Sequence, residues 1–279
     1  MNKGICFHFG YVYEHIEQQV RDIQNAGFDC VMTCADKNFN KENGTIKKQV
    51  KLFKKYKLKL SSLHMRYKRQ ELPEFWKNSK VGKKIEKDLI NDVKIAAKYG
   101  FTCVVVHLYG EPNEVGINRL NRVLKVCEKK NVPLALENLN KNFNLLKFCF
   151  NNIKSNYLKV CFDSGHQNCF EPEIDHVTIF KDRIIALHLH DNLGENRNDD
   201  QVKGFKIKKE TTDMHTLNKY GNINWNKIAE KLSKVNNEIN IDYEVMMVYR
   251  KNETSKEVLF EVNKQADELI DMIEKYKGK

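Results

Sequence analysis

Six apolar segments of this chain end in a group that can bind a metal or move a proton. In order they end in His64, His107, Glu137, Asp163 (with His166 three residues on), His188 (with His190) and Glu244. Imidazole changes protonation near neutral pH, and a carboxylate can serve as a base or as an anionic ligand. Buried side by side, such groups cannot stand unpaired, because desolvating a lone carboxylate is very costly. A divalent cation removes the difficulty. A mixed His and Asp/Glu set suits Zn2+ or Mn2+, with Fe2+ or Co2+ as alternatives, whereas an all-oxygen set would suit Mg2+ or Ca2+.

Each of these groups has a plainer reading when taken singly. "VCFDSGHQNCF" (160–170) can be a strand stopped by an Asx-type turn at Asp163, followed by a surface histidine. The positions of the whole set argue otherwise. Strand-like runs alternate with helical ones throughout the chain: "GICFHF", "CVMTC", "KLSSLHM", "TCVVVHL", "VPLALENL", "LKVCFDS", "RIIALHLHD" and "NIDYEVMMV" each precede a helical stretch. Among the expected helices are Tyr13 to Ala26, Val81 to Tyr99 and Ser255 to Tyr276. β-branched runs bounded by turn residues and helices of 3.6 period support this division. Eight such units without a compositional break predict an α/β fold, a single (β/α)8 TIM barrel over residues 1–279. A doubly wound sheet would call for a Gly-rich phosphate loop, and neither GxGxxG nor GxxxxGK occurs.

In a barrel, active-site residues sit at the C-terminal ends of the strands, which is where the six groups fall. Residues two apart on a strand share a face. Val105 and Cys103 then lie below His107, Ala135 below Glu137, Cys161 below Asp163, Ala186 below His188 and Ser62 below His64. The alternate residues Leu134, Leu136, Val160, Phe162, Leu187 and Leu189 suit the helix-facing side. Ser164 and Gly165 form a spacer that turns the chain so that His166 faces the same cavity as Asp163.

Composition narrows the remaining classes. The 279 residues are 41% hydrophobic, enough for a sizeable core, and no apolar run approaches the ~18 residues that span a bilayer. The start, "MNKGICFHFG", is too short in apolar residues for a signal peptide. A cytoplasmic location is expected. Eight cysteines include no CxxC pair, so neither a zinc ribbon nor a thioredoxin-type site is indicated. Cys6, Cys103 and Cys161 lie in strand-like runs, as small hydrophobes. The formal net charge of +11 permits phosphorylated or nucleic-acid partners, but the lysines are spread along helix faces and read as solvated surface.

"LENL" with Glu137, "FDSGH" with Asp163 and His166, "HLHDN" with His188 and "YEV" with Glu244 resemble motifs of the xylose isomerase-like superfamily of metal-dependent barrels. This superfamily includes sugar isomerases and epimerases and endonuclease IV. The resemblance covers essentially the whole chain. In the epimerase branch it implies that Glu137, Asp163, His188 and Glu244 hold one metal ion and that His166 contacts substrate. Endonuclease IV implies a larger set holding three zinc ions, adding His64, His107, His166, Asp213 and His215, the last two from "DMH". One to three ions follow from the two branches. The run "HxHDN…DxH…G.I.W" is similar to the sugar phosphate isomerase/epimerase branch. Relative to endonuclease IV, His190 replaces an Asn, Gly165 stands where Cys or Ala is usual, and the N-terminal Gly/His/Ser element is missing.

The resemblance implies a metal-dependent isomerase or epimerase of a small sugar, ketose, inositol derivative or sugar phosphate, working through a metal-stabilised enediolate. Glu137 and Glu244 would remove and return the proton, and His166 or His188 would orient substrate oxygens. Phosphodiester hydrolysis at abasic DNA is the alternative implied by the endonuclease IV branch, and a metal-binding barrel without catalysis is a third. The segment from Asn192 to Thr212 is long for a connection. Its Lys203, Lys206, Lys208 and Lys209, partly alternating with Phe205 and Ile207, read as a flap that could meet an anionic substrate group.

Overall fold

The computed structural model describes residues 1–7, 13, 15–36, 44–195, 212–246 and 253–278. Its strands are β1 (Lys3–Cys6), β2 (Cys30–Cys34), β3 (Lys59–His64), β4 (Cys103–Val106), β5 (Leu134–Glu137), β6 (Leu158–Asp163), β7 (Ile184–His188) and β8 (Ile241–Tyr243). All eight are parallel and run β7-β6-β5-β4-β3-β2-β1-β8. Beyond the end of β7, Leu189 closes the ring. Its N–H donates to the Asp242 carbonyl at 2.9 Å, and its carbonyl accepts from the Glu244 N–H at 2.8 Å. The result is the (β/α)8 TIM barrel that the alternating pattern predicts.

The helices are α1 (Ile16–Asn25), α2 (Ile46–Lys55), α3 (Lys80–Tyr99), α4 (Glu114–Lys130), α5 (Phe143–Asn152), α6 (Ser164–Phe170), α7 (His176–Phe180), α8 (Trp225–Leu232) and α9 (Ser255–Lys277). Sequence punctuation sets several boundaries. Gly100 ends α3 at φ 91, a left-handed conformation that costs glycine little. The Thr254 hydroxyl and the Glu257 carboxylate form a reciprocal capping box at the start of α9. No helix among the described residues is long and apolar enough to cross a membrane.

Two cores result from the period-2 alternation of the strands. Cys103, Val105, Ala135, Cys161 and Ala186 pack together inside the barrel. Leu134, Leu136, Val160, Phe162, Leu187 and Leu189 join the large core between strands and helices. Small residues inside and large ones outside leave the upper barrel free for bulkier polar side chains. All eight cysteines are buried and free, as their apolar contexts suggest.

The structure corrects three local expectations. β4 stops at Val106 and β8 at Tyr243, so His107 and Glu244 follow their strands by one residue instead of ending them. The first helix begins at Ile16, not Tyr13. Ser164 and Gly165 are not a spacer turn: α6 starts at Ser164, and the Asp163 carboxylate caps it by accepting the His166 N–H at 2.6 Å. A carboxylate at this position satisfies one of the unpaired N–H groups of a helix start.

Candidate metal centre

Adjacent strand ends bring the predicted residues together at the C-terminal mouth. Asp163 is the register partner of His188, and Glu137 that of Cys161. His64, His107, Glu137, Asp163, His188, His215 and Glu244 are all buried, while His166 and Asp213 are half-buried.

The side chains form three adjoining groups. In the first, His64 Nε2 lies 3.0 Å from His107 Nε2, and His107 Nε2 lies 3.1 Å from Glu137 Oε2. The Tyr67 ring covers both histidines, with centroid distances of 5.4 and 4.6 Å. In the second, His188 Nδ1 lies 3.1 Å from Glu137 Oε2 and 3.5 Å from Glu244 Oε1. His166 Nδ1, 3.2 Å from Glu137 Oε1 and 3.4 Å from Asp163 Oδ2, connects these carboxylates to the third group. There His166 Nε2 and His215 Nε2 lie 3.2 and 3.0 Å from Asp213 Oδ2. Glu137 joins the first two groups.

Backbone carbonyls fix the tautomers of three of these rings. His64 Nδ1 donates to the Met65 carbonyl at 2.9 Å, His166 Nδ1 to that of Asn138 at 3.0 Å, and His215 Nδ1 to that of Glu244 at 2.8 Å. A carbonyl only accepts, so Nδ1 keeps its proton and Nε2 is the nitrogen that faces the cavity, with a lone pair once the ring is neutral. Metal-binding histidines are oriented in this way. His188 Nδ1 and Asp213 Oδ1 are buried without a hydrogen bond. Facing lone pairs, orphaned buried atoms and clustered carboxylates form a donor set that one or more divalent cations would satisfy. His215 also adopts φ 41, a left-handed backbone conformation uncommon for a residue with a side chain.

In the metal-free protein these groups charge one another. Burial would raise the Glu137 pKa, but His188, His107 and His166 outweigh it and hold the carboxyl well below its usual range. Asp213 is likewise held low by His215, His166 and His190 against the effect of burial. Burial would lower the His215 pKa, yet Asp213 and Glu244 push it up to about 9. Glu244 moves the other way: burial raises it to about 7 despite His188 and His215.

Residues beyond the predicted set hold the groups in place. Asn138 pins the Asp163 backbone on both sides, accepting from its N–H at 2.7 Å and donating to its carbonyl at 2.8 Å. Asp191 accepts from Trp225 Nε1 at 2.6 Å and from the Ile223 N–H at 3.1 Å. Its backbone exchanges two 2.9 Å bonds with Thr216. Asn192 Nδ2 donates to the Gly165 carbonyl at 2.9 Å. The run "HDN" thereby ties the segment after Asp213-x-His215, with Ile223 and Trp225 of "G.I.W", to the barrel. His190 lies two residues beyond His188, the spacing that puts both on one face, whereas nothing in the sequence pattern alone pointed to Asn138. The proposed flap lysines, Lys203 to Lys209, lie outside the described residues.

Comparison with known proteins agrees with this architecture. Over 127 residues the chain is 30% identical to the uncharacterized protein y4fM of Sinorhizobium fredii, a match covering 43% of this chain and 36% of that protein. The chain thus spans about a third of that relative's length. A D-tagatose 3-epimerase-like protein superimposes with a TM-score of 0.70 at 19% identity over 99% of both chains. A xylose isomerase domain protein from Alicyclobacillus acidocaldarius gives 0.72 at 14% identity over 98% of this chain and 99% of that one. The family model described as xylose isomerase-like TIM barrel matches residues 20–276. With that span matched, the chain belongs to the xylose isomerase-like TIM barrel family.

Proposed function

We propose that the protein is a metal-dependent isomerase or epimerase acting on a small sugar, ketose, inositol derivative or sugar phosphate. The observation that carries this reading is that Glu137 and Glu244 lie 3.1 and 3.5 Å from one atom, His188 Nδ1, which is buried without a hydrogen bond. Glu137, Asp163, His188 and Glu244 would hold a divalent ion, Zn2+ or Mn2+ by the mixed nitrogen and oxygen donors. When bound, such an ion polarises a substrate carbonyl and offsets the negative charge that develops as a carbon-bound proton leaves.

Two carboxylates on opposite sides of a bound substrate can take a proton from one face and return one to the other. Glu137 and Glu244 would take this pair of roles. His166 is anchored by the Asn138 carbonyl and presents Nε2 to the cavity, where it can orient a substrate hydroxyl. The D-tagatose 3-epimerase-like neighbour shares the barrel scaffold over its full length. Turnover of a panel of ketoses and their phosphates by the metal-loaded protein, followed by chromatography of the sugars, tests the reading. No conversion across the panel by a protein that binds metal would overturn it.

A specific observation favours a second reading, phosphodiester hydrolysis at abasic DNA. The three groups His64/His107/Glu137, Glu137/His188/Glu244 and His166/Asp213/His215, with Asp163 beside His166, together make up the full ligand set that resemblance to endonuclease IV implies. Nicking of a duplex carrying one abasic site, by protein inactive on every ketose, would establish this alternative.

A further inference from the structure

We propose that His190, which no ligand set above includes, is a positioning residue that fixes Asp163 and supports the Asp213–His215 arm of the centre. The proposal rests on the metal-binding reading.

His190 is fully buried. Its Nε2 lies 3.1 Å from Asp163 Oδ1 and 3.2 Å from Oδ2. An ionised carboxylate only accepts, so the His190 proton is on Nε2. This is the opposite arrangement from His64, His166 and His215, whose Nδ1 atoms are tied to backbone carbonyls and whose Nε2 atoms are left for the cavity. His190 therefore donates to a ligand and does not act as one. The Asp163 carboxylate then has two fixed donors, the His166 N–H on Oδ1 and His190 Nε2 on Oδ2, which set its orientation in the cavity.

The ring has a second contact. It stacks on His215 with centroids 3.8 Å apart and planes 16° from parallel. Rings stacked in this way direct their nitrogens along nearly parallel lines and cannot both aim at one ion. His215 Nε2 faces Asp213 Oδ2 beside His166 Nε2, so His215 is the ligand of the two and His190 is its platform. The close grouping of His190, His215 and Glu244 is thus a support for the centre and not another ion's site.

The sequence makes room for this ring at Gly165. A Cβ there would collide with His190 Cε1, Nδ1 and Nε2. Gly165 lies in the first turn of α6, between Asp163 and His166, so a residue without a side chain lets the helix that presents His166 close over the ring. The neighbouring Ser164 hydroxyl donates to the His190 carbonyl at 2.8 Å and accepts from its N–H at 3.0 Å. Backbone and ring are both locked. Gly165 and His190 are therefore sterically coupled: the ring occupies the space that a Cβ at position 165 would need.

Co2+ binding to the full chain, measured by competition with a chromophoric chelator and by the visible spectrum, tests the proposal. His190→Phe keeps a flat ring against His215 and removes the donor. It should weaken Co2+ binding about ten- to a hundredfold, the usual effect of losing a partner of a metal ligand, and change the spectrum. Gly165→Ala should do the same by displacing the ring, and Gly165→Ala/His190→Asn, which relieves the collision, should recover part of the loss. Melting of each metal-free protein in chelator separates this role from packing. A purely structural role would lower that melting temperature and leave the Co2+ spectrum of the folded variant unchanged, which overturns the proposal. Wild-type affinity in folded His190→Phe overturns it as well. If that variant does not fold, the Gly165 pair decides: no loss in the single variant, or no recovery in the double, overturns the proposal. Wild-type protein that binds no Co2+ sinks the metal reading itself, and the proposal with it.

Discussion

The Nε2 atoms of His64 and His107, from the ends of the adjacent strands β3 and β4, face each other at 3.0 Å at the mouth of the barrel. His64 carries its proton on Nδ1, donated to the Met65 carbonyl, so its Nε2 brings a lone pair to this contact. Without a cation, His107 must supply a proton to the same small space. A cation held there, as in the larger ligand set, would take both nitrogens and Glu137 Oε2 as ligands. His107→Ala should therefore remove about one equivalent of metal and leave the remainder of the centre loaded. Elemental analysis of dialysed protein gives the metal-to-protein ratio, and an unchanged ratio would take His64 and His107 out of the ligand set.

Glu137 joins the first two groups of the centre, lying near His107, His166 and His188. Glu137→Gln preserves shape while removing the charge and the basicity. Turnover of the true substrate should fall by about two to four orders of magnitude, with little change in the fold measured by circular dichroism. Near-wild-type turnover would end the proposed role for Glu137.

Asp163 is an anion with two fixed donors and no exposure to solvent. Asp163→Ala should lower metal content after dialysis. The same change also removes the cap of α6, which should cost about 1 kcal/mol of stability, visible in a denaturant titration of the metal-free protein. Undiminished metal would rule out Asp163 as a ligand.

Protons would compete with a metal bound at this site, and the sign of that competition follows from the charge of the metal-free groups. In the metal-free protein burial would lower the His215 pKa, but Asp213 and Glu244 push it up to about 9, so His215 is protonated at neutral pH. An ion must displace that proton. Apparent affinity should fall as the pH drops below that value, by about tenfold per pH unit for one displaced proton. His166 and His188, also raised against the effect of burial, steepen the decline. Chelator competition between about pH 6 and pH 9 measures the slope, and a flat profile would show that these histidines bind no ion.

Lower in the barrel, the Asp242 carboxylate lies over Gly4 of the neighbouring strand, held by the Ser61 hydroxyl and the Cys30 thiol. A Cβ on Gly4 would collide with it. Gly4→Ala should destabilise the fold by about 1–3 kcal/mol and leave metal stoichiometry unchanged, because the strain falls below the layer of ligands. Denaturant melts together with elemental analysis check both halves.

Much of this molecule was legible in its sequence, because the signals involved are local. Period-2 alternation of small and large residues, as in Ala135 and Glu137 against Leu134 and Leu136, determined which side chains enter the barrel. Turn residues and 3.6-residue helices determined the eight units, and the strand ends determined that six chemical groups share one face. Chain folding decided the rest. Asp163 reads as a turn residue, and only the position of α6 makes it a helix cap that also faces the cavity. Asp213 and His215 lie about fifty residues beyond His166; pairing of Thr216 with Asp191 places them beside it. His190 falls on the right face by spacing, but its tautomer, its stacking on His215 and the room left by Gly165 depend on packing between segments distant in sequence. Local periodicity fixes the direction in which a side chain points, whereas the identity of its partner across the barrel is set by the register and closure of strands that no short window of sequence contains.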